Sequence, residues 1–65
     1  MQPTTKDGLI DYLAGLEVLA IERAAKLKKC IDVGESDHQI EEAAAATLDC
    51  AQRIGKAKKA LAKLS

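Results

Sequence analysis

Aromatic side chains are almost missing from this chain: Tyr12 is the only one, with no Phe and no Trp. That counts against a protein that stacks nucleic-acid bases on aromatic rings. Proline is equally scarce, with Pro3 alone, so nothing after the third residue interrupts a helix. There is one His, and the two cysteines, Cys30 and Cys50, fit neither a zinc spacing nor a CxxC redox pair. Little is left for metal or acid–base chemistry, and the sequence calls for no cofactor. A Gly-rich phosphate loop and a nucleophile elbow are both lacking. No apolar run reaches the ~18 residues of a membrane span. The first seven residues, Met1 to Asp7, lack the basic-then-apolar order of a signal peptide, so a cytoplasmic protein is expected. Ten Lys and Arg balance ten Asp and Glu, which removes any net pull toward nucleic acid or anionic membrane.

What is present is helical. Of 65 residues, 48% are hydrophobic and twelve are Ala, too apolar for a disordered chain and rich in the best helix former. A single domain over residues 1–65 sits near the lower limit for an independent core, where oligomerisation is a common remedy. The punctuation predicts an all-α, antiparallel two-helix hairpin. Helix one covers about residues 5–32, opened by a capping box from Thr4 to Asp7. Lys26, Lys28 and Lys29 suit its C-terminal dipole, and Gly34 is the residue able to take positive φ beyond its end. The turn covers 33–36. Ser36 and Gln39 form a second capping box, and helix two runs over about 37–63.

Helix two carries a seam of Ile40, Ala43, Thr47, Cys50, Ile54, Ala57, Leu61 and Leu64, alternating three and four apart as in a coiled coil. Helix one offers Leu9, Leu13, Leu16, Ala20, Leu27 and Ile31 against it, with Tyr12, Leu19 and Cys30 on the flank. Charge follows the same plan. Residues 1–22, 23–31, 32–49 and 50–65 carry −3, +4, −6 and +5. Folding at Gly34 sets each acidic block beside a basic one, an order that favours antiparallel over parallel packing. Each exposed pair contributes little alone.

Helix one also has a surplus. Ile10, Ala14, Val18, Ile21 and Ala25 form a second seam centred about 120° from the first. One hairpin cannot cover both. Such a patch marks a protein contact more often than scattered surface aliphatics do. A second copy of the chain would cover it in a homodimer, giving a four-helix bundle. Arg23 falls within the main stripe. It either anchors a partner or packs its stem and extends its head toward Glu42 or Asp49, and the second is preferred. Gly15 and Gly55 lie at nearly the same level, as a notch for a closely packed helix or as tolerated glycines. Cys30 and Cys50 differ by roughly 14 Å along the hairpin, beyond disulfide reach. His38 reads as a surface residue.

The class of function that fits is a non-enzymatic protein-interaction module, a regulator or inhibitor of a partner protein, with Ile10, Ala14, Val18, Ile21, Ala25 and Arg23 at the interface. Small inhibitors from phages and mobile elements often have this length. The alternative lies in the basic tail of helix two, which offers Arg53, Lys56, Lys59 and Lys63 to phosphates. In length and topology the chain resembles the small plasmid-encoded Rop-type hairpins. That resemblance implies a hairpin dimer that binds paired RNA loops, and no individual residue carries over from it. An amphipathic tail lying on an anionic membrane surface is a third reading.

Overall fold

The chain enters its first helix at Thr5. In the computed structural model, which describes residues 2–64, Thr5 is extended (φ −93°, ψ 154°) and its Oγ1 accepts a hydrogen bond from the Gly8 N–H at 3.1 Å. The cap therefore lies one residue later than the Thr4–Asp7 box expected from sequence. Gly8 stands at the third helical position, with Pro3 packed over it. A Cβ on Gly8 would lie 2.8 Å from Thr5 Oγ1 and 3.1 Å from Pro3 Cβ. Asp7 still falls in the first turn, where the helix dipole favours a carboxylate.

Helix α1 spans Lys6–Asp32 and α2 spans Asp37–Leu64. Between them Gly34 adopts φ +74°. Its N–H donates to the Ile31 carbonyl at 3.2 Å and the Glu35 N–H donates to the Cys30 carbonyl at 2.9 Å. This pair of bonds is a Schellman motif, which satisfies two of the carbonyls a helix end leaves open. Two residues later Ser36 begins α2. Its Oγ accepts from the Gln39 N–H at 3.3 Å and its carbonyl accepts from the Ile40 N–H at 3.0 Å. So tight a reversal leaves the helices antiparallel and side by side, in a body of 44 × 16 × 15 Å. Among the described residues, no helix is long and apolar enough to cross a membrane.

The core is uneven along its length. Far from the turn, Leu9, Leu13 and Ala57 are buried, with Tyr12, Ile54, Ala60 and Leu61 packed against them. In the middle Leu16 and Cys50 meet, and the Cys50 thiol donates to the Leu16 carbonyl at 3.3 Å. Toward the turn α2 buries Ala43, with Ile40 and Ala46 half-buried. Thr47 sits in the seam with its hydroxyl satisfied by its own helix, donating to the Ala43 carbonyl at 2.8 Å.

The seam of α2 is buried or half-buried from Ile40 to Leu61, and only Leu64 lies largely outside it. The stripe of α1 faces α2 largely as expected: Leu9, Leu13 and Leu16 are buried, and Ala20 and Leu27 are half-buried. Tyr12, Leu19, Arg23 and Cys30 are half-buried, whereas Ile31 is 56% exposed. At the turn end of α1, Cys30 and not Ile31 takes the inward place.

Two stability differences follow. Leu9 is 1% exposed, so Leu9→Ala is expected to cost about 2–5 kcal/mol, whereas Ile31→Ala should stay within about 0.5 kcal/mol. Thermal melts followed by circular dichroism would separate them, and equal effects would place Ile31 in the core. Gly34→Val is expected to cost about 1–2 kcal/mol, because a β-branched residue is forced into left-handed backbone. An unshifted melt in that variant would mean that the reversal does not depend on this conformation.

Candidate functional site

The outward face of α1 leaves a run of apolar side chains open to solvent. Ile10, Val18 and Ile21 are 46%, 58% and 71% exposed, and Ala14 and Ala25 beside them are exposed too. The five residues centre about 130° from the buried Leu9, Leu13 and Leu16, on the side of α1 turned away from α2. The face runs four to five turns along the helix, and charge brackets it. Asp7 and Asp11 are exposed at one end, Lys28 and Lys29 at the other.

Arg23, grouped with this face by sequence, does not belong to it. Its side chain turns to the opposite side of α1, and Nη1 donates to the Ala46 carbonyl of α2 at 3.0 Å. The carboxylates expected to receive it are engaged within α2: Asp49 pairs with Arg53 at 3.1 Å and Glu42 with His38 at 3.1 Å. The small side chains at Ala43 and Ala46 explain the choice. They leave a backbone carbonyl within reach of a long side chain, which fills space that α2 does not. Beside it lies a cleft of about 490 Å³, lined by Arg23, Lys26 and Cys30 of α1, by Glu35, and by Gln39 and Glu42 of α2. Its charges are mixed, with no excess of either sign. Among the described residues there is no cluster of three or more side chains able to hold a metal ion.

The basic candidates of α2 are distributed differently. Lys56, Lys59 and Lys63 are exposed on the side of α2 turned away from α1, and Arg53, also exposed, is the residue paired with Asp49. Gly15 and Gly55 are exposed, and a Cβ at either would meet nothing within 4 Å. The notch reading of this pair therefore has no counterpart within the hairpin.

One exposed residue was not singled out by sequence. Leu48 is 60% exposed, on the flank of α2 where Ala44, Ala51, Gly55 and Ala62 also lie. The three-and-four spacing of that set was the available signal. Its members apart from Leu48 are alanine and glycine, which give a weak apolar signal.

No protein-family model, curated protein or solved structure matches the chain.

The thiols provide a check on this geometry. Cys50 is buried and Cys30 only half-buried, and both are free. A thiol reagent applied to the native protein is expected to modify Cys30 first and to reach Cys50 only on unfolding. Simultaneous modification of both would mean that the middle of the hairpin opens far more readily than its packing implies.

Proposed function

We propose that this chain is a non-enzymatic protein-interaction module. It regulates or inhibits a partner by occupying part of the partner's surface with the outer face of α1. The observation behind this reading is the exposure of Ile10, Val18 and Ile21 on one side of a helix whose other side is already packed. Water gains entropy when such a face is covered, so a contiguous apolar patch favours association. The spacing is that of a helix that lays its anchors into a groove. The hairpin holds the helix in shape before binding, which lowers the ordering cost of association. Arg23, tied to the Ala46 carbonyl, is left out of the interface. The remaining five residues, Ile10, Ala14, Val18, Ile21 and Ala25, form it.

The test is the Ile21→Glu variant, which places a charge in the middle of the face while leaving the buried seam intact. Wild-type and variant chains are immobilised and offered polypeptide, including further copies of the chain. The variant is expected to lose about tenfold or more of whatever polypeptide the wild type retains, because it would bury an unpaired charge, with helicity unchanged by circular dichroism. Equal retention would overturn the reading. So would binding that falls steeply with salt, the behaviour of phosphate contacts made by Lys56, Lys59 and Lys63.

A further inference from the structure

We infer that the occupant of the α1 face is a second copy of this chain, with the two α1 helices antiparallel about a two-fold axis near Val18. The inference rests on the proposed role of this face and adds the identity and direction of the partner. Two properties of the face point to it, one of size and one of charge.

Size comes first. Along the face the side chains run large, small, large, large, small: Ile10, Ala14, Val18, Ile21, Ala25. When a copy is laid over it in the opposite direction, Ile10 meets Ala25 and Ala14 meets Ile21, on both sides of the dyad. Both isoleucines then lie against alanines, and Val18 lies near its own symmetry mate. Laid parallel, Ile10 would meet Ile10, Ile21 would meet Ile21, and the alanines would face one another across gaps. Protein interiors reach their density by interlocking large with small, so the antiparallel overlay packs and the parallel one does not.

Charge selects the same direction. Asp7 and Asp11 bracket one end of the face, Lys28 and Lys29 the other, all exposed. The antiparallel overlay brings the acidic end of each helix over the basic end of the other, and the symmetry makes every such contact twice. The parallel overlay sets acid on acid and base on base. Charges placed this way specify partner and direction more than they add affinity.

In this assembly the two α1 helices form the contact between the hairpins. The second copy would leave the cleft beside Arg23 and the outer side of α2 uncovered. One helix pair is a small contact by the standard of stable dimers, so self-association is expected to depend on concentration.

Light scattering over a concentration series is expected to show the mass rising from one chain toward two. Ile21→Glu should hold it at one chain. Lys28→Glu combined with Lys29→Glu should weaken the dimer by about tenfold, an effect that shrinks as salt screens the ends of the face. Direction is read by cross-linking, with Cys30→Ser in all chains. Chains carrying Ile10→Cys and chains carrying Ala25→Cys are oxidised separately and mixed. The expected result is a disulfide between position 10 of one chain and position 25 of the other, formed only in the mixture. Like-with-like disulfides in either chain alone, above a denatured control, would overturn the antiparallel arrangement. A wild-type mass of one chain throughout would overturn the second copy as occupant and leave the broader reading to its own test with other polypeptides. A dimer that survives Ile21→Glu would mean that the face is not the contact at all.

Discussion

Everything in this molecule follows from a reversal made in four residues. With Gly34 in left-handed backbone and Ser36 already capping the next helix, α2 has no freedom to slide along α1. Residues nearly equally far from the turn are brought level: Arg23 beside Ala46, Leu16 beside Cys50, Leu9 beside Ala57. The level of each pair decides what kind of contact it is. Leucines meet where α2 supplies isoleucine and leucine. A guanidinium reaches a backbone carbonyl where α2 supplies only alanine. The same constraint limits what can be hidden, because two helices in contact bury one arc each. A helix with a second apolar arc must leave it to solvent or to another molecule.

Most of the fold was legible in the sequence because it was written in local signals. The glycine at Gly34, the serine at Ser36 and the three-and-four spacing of α2 each act within a few residues, and each was realised. What failed to show was the exchange at the turn end of α1, where a reading by hydropathy places Ile31 inside and the structure places Cys30 there. The cap moved from Thr4 to Thr5. Thr4 and Thr5 are equivalent by residue type, and the distinction lay in Gly8, where only a missing side chain leaves room for the cap and for Pro3. Arg23 shows a third limit: its acceptor is a main-chain carbonyl, which no pattern of side chains reveals.

The outer face of α1 was legible as a surplus, and its shape was not. Counting spacings shows five small and large apolar residues on one side of a helix. How far each of them is exposed depends on how the two helices pack, and that is a property of the pair: Ile21 is 71% exposed and Ile10 46%.

The unevenness of the core has its own consequence. Near the turn the helices are joined covalently, and there Ala43 is buried while Leu27, Cys30 and Ile40 are only half-buried. At the far end no covalent link holds them, and there the leucines and Ile54 are gathered. Connectivity and packing thus divide the work of keeping the helices together, each acting where the other is weak. A chain of the same composition opened at Gly34 and joined instead across the Leu9–Leu61 end would place its tether beside its strongest contacts. Its Ala43 end would be free to gape, so the order of the segments along the chain is as much a part of the fold as the residues within them.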